Sequence, residues 1–597
     1  MMNAVVERTG AEDVAWNLSD LYAGDDAGID ATLAEIDARA DRYAATYRGK
    51  VASLDAPGMR AALHEYEGIA ESLNRLAAFA QLRWTTDTNN PAYGALLQKL
   101  TERDAKLDQK ILFFVLEWAA TDDAHASRVI ADPALASYKH FLEVARLQRP
   151  HQLSEPEEKI MVEKRVTGAE AWTRFFDETQ GAARFDLDGA KVSREVVLRN
   201  LYNPQREVRK TAADSLTQGL RGDLRTNTFI FNTLLADKAS NDTLRHYPTW
   251  ISSRNMSNQA SDESVQALID AVTSRYDIVA RYYTLKRKLL GLDELFDYDR
   301  YAPLSLEDER RFDWDEAKAI VLNGYHKFDP QMGDIAAMFF DKQWIDGPVR
   351  PGKRGGAFSA GTVPAVHPYI LMNFTGRGRD VSTLAHELGH GIHQYLSRER
   401  GLLQMHTPLT TAEMASTFGE MLVFEDLLAK ESDPQRKLGM LAGKIEDSFA
   451  TIFRQISMNR FEDAIHTARR TEGELPTERF SELWAQSQSA MFGNSVTLRA
   501  DYHLWWSYVP HFLHTPGYVY AYSFGELLVL ALYAKYRQEG ASFAPKYVEV
   551  LAAGGSDWPH AILSKVGVDL NDPAFWKQGL AELEALVTQA ETLAGQE

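Results

Sequence analysis

Three features of the 597-residue sequence predict a mainly α-helical fold with a small β-sheet beside one helix. Apolar residues recur at helical spacing through most of the chain, Ile29, Leu33, Ile36, Ala40 and Tyr43 being an early example. Alternating, strand-like runs are short and confined to residues 183–193 and 347–375. The second of these runs directly precedes the helix that carries the chain's most specific motif.

Taken in order, residues 1 to about 180 read as helix after helix, lightly punctuated by Pro and Gly. No Ser/Gly-rich or Pro-rich linker and no fixed-period repeat divides them, so the lobes should pack continuously. At 183–193, Phe185 and Leu187 alternate before Asp188-Gly189, a tight-turn pair that predicts a small hairpin. From about 196 to 345 helical patterns resume, most clearly over 261–291, with capping candidates before it and Gly after. Residues 347–375 are Gly-Pro-rich loops with two extended segments, Ala357 to Ser359 and Tyr369 to Phe374. An exposed strand edge here could pair with an extended peptide through backbone hydrogen bonds. Phe358, Ser359 and Tyr369 are then the substrate-binding candidates, with His367 and Arg354 as further ones, and a buried hairpin without substrate contact is the other reading.

The next segment, 380–420, carries the chemistry. His386, Glu387 and His390 form His-Glu-x-x-His, and residues four apart on a helix share a face, so both imidazoles can reach one ion. Asp380 or Ser382 should cap this helix, whose apolar stripe is Val381, Leu384, Ala385, Leu388 and Ile392. Gly389 and Gly391 each cost about 1 kcal/mol relative to Ala, which points to close backbone packing or substrate approach beside the ion. A catalytic zinc takes three protein ligands and leaves a position for water. His393 lies about 10 Å along the helix axis from His386, too far to share the ion. The spacing that brings round a third His after a Gly fails, because 393 is His and 396 is Leu. A carboxylate must complete the set, and Glu413, on a second helical segment beginning after Pro408, is the best candidate. Glu420, two turns further along, could orient an imidazole from behind.

Composition agrees. There is no Cys, which excludes disulfides, a thiol nucleophile and cysteine ligands, and leaves His and carboxylate to hold metal. A formal charge of -19 repels polyanions, so nucleic acid is not expected as a partner. The densest apolar run, LLVLALYA at 527–534, is far short of the roughly 20 residues of a membrane span, and MMNAVVERTGAEDVAWNL has no basic-then-apolar leader. No membrane association and a cytoplasmic location are expected, and the oligomeric state is left open. Beyond Glu420 helical patterns continue, ending in an aromatic stretch whose members are by default packing residues.

With these residues in place, the chain resembles the zinc oligopeptidases of the thimet oligopeptidase and oligoendopeptidase F type, the latter most closely. HELGH followed by Glu-x-x-Ser (Glu413 to Ser416) carries the likeness, together with WNLSDLY at 16–22, LSEPEEKI at 153–160, GGAFS at 355–359, HPYILMNF at 367–374 and HFLHTPGYVYAYSFG at 511–525. The resemblance implies two helical lobes around a deep cleft, an N-terminal lobe at 1–195, a catalytic zinc-peptidase domain at 196–597, and short unstructured peptides as substrates. It also implies that a His and one or two Tyr of a Gly-containing loop donate to the oxygen that becomes negative during attack. His511 and Tyr518 match those positions, Tyr520 is the substitute, and His514 and Tyr522 are neighbours.

The expected activity is thus that of a zinc metalloendopeptidase with one Zn2+ per chain and Glu387 as general base. Other readings are a zinc carboxypeptidase or dipeptidase on a related fold, a helical scaffold with a vestigial metal site, and a hydrolase of a non-peptide amide. An exopeptidase needs a fixed group for the peptide terminus; no Arg or Lys stands out for that part, Arg354 and Arg499 being the candidates.

Overall fold

The stripe at Ile29, Leu33, Ile36, Ala40 and Tyr43 is the buried face of helix Asp26–Tyr47, each of its members being at most 3% exposed. The computed structural model describes residues 8–304 and 310–595. Residues 1–7, on which part of the no-leader reading rests, lie outside the described residues.

Packing divides the chain into two compact units. Among the described residues the first comprises 8–149, 310–429 and 535–569, and the second 150–304, 430–534 and 570–595. These units interleave along the chain, whereas the expected boundary at 195/196 is a single linear cut. Local sequence patterns report which face of a helix is apolar, not which later helix covers it.

In the first unit, helices Asp26–Tyr47, Ala56–Thr86 and Pro91–Ile111 pack around Leu33, Leu63, Leu73, Leu100 and Trp118. Asp25, Asp55 and Asn90 cap them by accepting from the N–H of Gly28, Gly58 and Ala92 at 2.9, 2.9 and 3.0 Å. The second unit is built on the 39-residue helix Arg206–Leu244, whose Leu216 and Phe231 join Phe461, Trp484, Trp505 and Trp506 in one core. The expected hairpin is present there, β1 (Phe185–Leu187) pairing antiparallel with β2 (Ala190–Val192). Asp188 and Gly189 make the turn at φ +52° and +80°. The 261–291 pattern is two helices, Asp262–Thr273 and Tyr276–Leu289.

A second sheet belongs to the first unit. Strand β3 (Ile345–Pro348) runs parallel to β5 (Tyr369–Phe374), and β4 (Phe358–Ala360) pairs antiparallel with the other side of β5, giving the order β3-β5-β4. The two extended segments read from the sequence are β4 and β5. β3, reading IDGP, has no alternation to betray it and is buried at all four residues. Lys353, whose side chain is buried, fastens the loop after β3 by pairing with Asp346 at 2.6 Å and donating to the carbonyls of Pro348 and Met372. Among the described residues no helix is long and apolar enough to cross a membrane, and Leu527 to Ala534 are buried in helix Tyr520–Glu539.

Candidate metal centre

Helix Gly378–Ser397 begins two residues before the expected cap. Arg377 is the cap, and Asp380 lies in the first turn, where its Oδ2 accepts from the N–H of Arg377 at 3.1 Å and from the N–H and hydroxyl of Thr375 at 2.7 Å each. Its negative charge also suits the positive end of the helix. Val381, Leu384, Ala385, Leu388 and Ile392 are fully buried, which leaves His386 and His390 on a partly open face.

Helix Met414–Lys430 approaches this one through two glycines. A Cβ on Gly389 would collide with the carbonyl oxygen of Ala415 and lie 2.6 Å from the Cα of Ser416. A Cβ on Gly419 would collide with the Tyr325 hydroxyl and lie 3.0 Å from the Ala385 oxygen. Tyr325 itself donates to that Ala385 carbonyl at 2.6 Å, and Tyr547 donates to the Met414 carbonyl at 2.8 Å. The missing side chains thus set how closely two ligand-bearing backbones meet. Gly389→Ala gains about 1 kcal/mol in helix propensity, but overpacking against rigid backbone costs about 1–3 kcal/mol. The variant should therefore have a lower thermal midpoint and bind zinc less tightly, measured by calorimetry with and without added zinc.

Glu413 does not lie inside a continuous helix. It sits between the short turn Leu409–Ala412 and the helix starting at Met414, at φ −86° and ψ 1°. Its carbonyl accepts from the Thr417 N–H at 3.1 Å, and the Ser416 hydroxyl reaches both that carbonyl at 3.0 Å and the side-chain Oε2 at 2.8 Å. This break turns the carboxylate toward the imidazoles.

The geometry suits zinc. Glu413 Oε2 is 3.5 Å from His386 Nε2 and 3.3 Å from His390 Nε2, and the three ligand atoms lie within 4.8 Å of one another. Tetrahedral ligands at the usual zinc distances stand about 3.3 Å apart, so the set needs little rearrangement. No other such group occurs among the described residues. Behind His386, Glu420 Oε1 lies 2.5 Å from Nδ1 and holds the proton there, which leaves Nε2 free to ligate.

Charge at the site is arranged unevenly. Burial alone would raise Glu413, but its hydrogen bond with His390 and the two imidazole charges pull it down to about 2, so it is an anion ready for a cation. Burial likewise opposes protonation of His386, yet the Glu420 bond and the Glu413 and Glu387 charges outweigh it and raise its pKa. Glu387 is raised, chiefly by burial, and its Oε2 has no hydrogen-bond partner among the described residues. It is a carboxyl with affinity for a proton and no structural bond to break on taking one. His393 is buried, its Nε2 makes no hydrogen bond among the described residues, and burial drives its pKa down to about 4.

A pocket of about 410 Å³ opens beside these groups, lined by Phe358, Ser359, His386, Glu387, His390 and Gln394 among others. Ser359 donates to Gln394 Oε1 at 2.8 Å, which ties the edge strand β4 to the ligand helix. Tyr369 is a correction to the sequence reading. It lies on the central strand β5, is fully buried, and donates its hydroxyl to the Asn17 carbonyl at 2.9 Å, because the aromatic positions of a central strand face the interior. His367 is also structural, stacked on Trp344 at 3.8 Å and bonded to Asp20 at 3.0 Å. Arg354 is exposed, with its guanidinium 5.3 Å from the centre of the Phe358 ring.

His511, Tyr518 and Tyr520 belong to the second unit. Tyr522 packs 4.9 Å from Tyr518 and 6.1 Å from His511, ring centre to ring centre. Tyr520 is the second correction: it is fully buried and its hydroxyl accepts from Asn258 at 3.0 Å, so it opens onto no surface. His514 is bonded to Asp177 at 2.8 Å, and Arg499 to Asp297 and Asp214 at 2.8 and 2.5 Å. Gln394, Gly419 and Tyr325 were not singled out from the sequence. Their roles depend on residues far away in the chain.

Comparison with known proteins follows the same line. The family model described as "Peptidase family M3" matches residues 199–582, and one described as "Oligopeptidase F" matches residues 117–185. Oligopeptidase PepF of Bacillus subtilis is 28% identical over 604 residues, covering 97% of this chain and 88% of its own. Among solved structures, a chain from Chlamydophila abortus described as a peptidase superposes with a TM-score of 0.89 at 24% identity, covering 98% of this chain and 100% of its own. Oligoendopeptidase-F of Enterococcus faecium gives 0.70 at 22% identity, covering 96% of this chain and 100% of its own. These two likenesses establish the fold.

Proposed function

Because the chain belongs to peptidase family M3 and is a metalloendopeptidase, we propose that it is a zinc-dependent oligoendopeptidase cutting internal bonds of short, unstructured peptides. The observation that carries this reading is the convergence of His386, His390 and Glu413 at zinc-like spacing beside the unpartnered Glu387 carboxyl.

In this mechanism His386, His390 and Glu413 would hold the ion, Glu420 keeps His386 in the ligating tautomer, and Ser416 steadies the Glu413 carboxylate. A zinc ion bound there would supply Lewis-acid polarisation of the scissile carbonyl and acidify water. Glu387 takes the proton of the attacking water and delivers it to the leaving amine, a task for which a buried carboxyl of raised proton affinity is suited. The free edge of β4, with Phe358 and Ser359, binds the peptide backbone without regard to side chains. By the resemblance, His511 and Tyr518 donate to the developing oxyanion. Restriction to short peptides, like a cytoplasmic place of action, rests on the family likeness.

Mass spectrometry of the products from a quenched fluorescent peptide of eight residues tests the reading. Internal cleavage should yield fragments of several residues from both sides of the cut. Release of single residues or dipeptides alone from one end would overturn it in favour of an exopeptidase, although Arg499 is already committed to two aspartates.

A further inference from the structure

Glu462, on helix Phe453–Glu472 of the second unit, is wholly buried. Its Oε1 accepts from the backbone N–H of Gly517 at 2.9 Å, and its Oε2 has no partner among the described residues. Gly517 sits at φ +76°, a conformation that other residues rarely adopt. A Cβ there would lie 3.3 Å from Ile251 Cγ1 and 3.4 Å from Arg254 Cβ, so helix Ser252–Ser257 and its flank press on the same turn. Arg254 Nε donates to the Pro516 carbonyl at 3.3 Å, the Tyr518 N–H donates to the Thr515 carbonyl at 3.1 Å, and Asn258 donates to the Tyr520 hydroxyl at 3.0 Å. The turn 515–520 is thus gripped on both sides of Tyr518.

An apolar side chain would fill the place of Glu462 without the cost of burying a carboxyl. Burial in fact pushes Glu462 up to about 8, against the opposing pull of the Gly517 N–H and Arg254. What the carboxyl adds is an acceptor with the reach to hold one N–H. We propose that Glu462 is a positioning residue, which fixes the Gly517 turn and through it the placing of Tyr518 relative to His511. This inference rests on the reading of those two residues as oxyanion donors.

Three variants separate reach from acidity. Glu462→Gln keeps the acceptor and removes the acid, Glu462→Asp keeps the acid but shortens the reach, and Glu462→Leu removes both. Hydrogen exchange over residues 515–520 and steady-state kinetics on the fluorescent peptide are measured for each, beside wild type and Tyr518→Phe. The expected result is lost protection and a kcat lower by about tenfold or more in Asp and Leu, with KM within about twofold, and near wild-type values in Gln. If Leu does not fold, the contrast between Asp and Gln decides alone. Unchanged protection in Asp, or a kcat that falls as far in Gln as in Asp, overturns the proposal. A wild type that cleaves no peptide removes the peptidase reading and this role with it. An active wild type impaired by Tyr518→Phe but not by Glu462→Asp leaves that reading standing and overturns this one alone.

Discussion

Glu387→Gln should lower kcat by about 10³-fold or more while zinc content stays at about one per chain. Gln has the same shape, cannot accept the water proton, and replaces a residue outside the ligand set. Because Glu387 Oε2 makes no hydrogen bond among the described residues, the substitution breaks no hydrogen bond at that oxygen. The thermal midpoint should therefore change little. Loss of one oxyanion donor costs about 10²–10³, so Tyr518→Phe should fall short of the Glu387 effect, and the two roles separate by magnitude. Kinetics with the fluorescent peptide and metal analysis on the same preparations check both numbers. Near-normal turnover by a zinc-loaded Glu387→Gln enzyme would remove Glu387 as the base.

The second large effect concerns Glu413. Its replacement by Ala leaves two imidazoles where a catalytic zinc needs three protein ligands, and takes away the anion nearest the site. Zinc affinity should fall by more than the roughly 10- to 100-fold that loss of a supporting residue such as Glu420 brings. Competition with a chromogenic chelator should rank wild type above Glu420→Ala, and Glu420→Ala above Glu413→Ala. Equal affinity of Glu413→Ala and wild type would mean that another group completes the site.

The strongest features of this arrangement were legible because they are local. His386 and His390 share a helical face by spacing alone, β5 has the bounds read from its sequence, and Asp188-Gly189 names its own turn. Glu413 was identified as a candidate, but not the helix break on which it sits, since the Ser416 bonds that shape the break involve the folded backbone. β3 was invisible because a short parallel strand buried on both faces shows no alternation, and its Asp346-Gly347-Pro348 reads as a turn. Tyr369 and Tyr520 were misjudged for one shared reason. A tyrosine in an aromatic run can face the core or the solvent, and only the partner of its hydroxyl, Asn17 in one case and Asn258 in the other, decides which. Gly389 and Gly391 signal close packing or substrate approach, but which neighbour each one admits, the backbone of Ala415 and Ser416 for Gly389 and the Phe339 ring for Gly391, is set by distant parts of the chain.

The most direct measurement is a zinc titration of the chelated enzyme, following peptide cleavage and bound zinc in the same samples. Activity should rise linearly with bound zinc and stop at one equivalent per chain, and the Glu387→Gln variant should take up the same equivalent without gaining activity. Full activity in the metal-free protein, or zinc uptake that never restores cleavage, would contradict a catalytic zinc held by His386, His390 and Glu413.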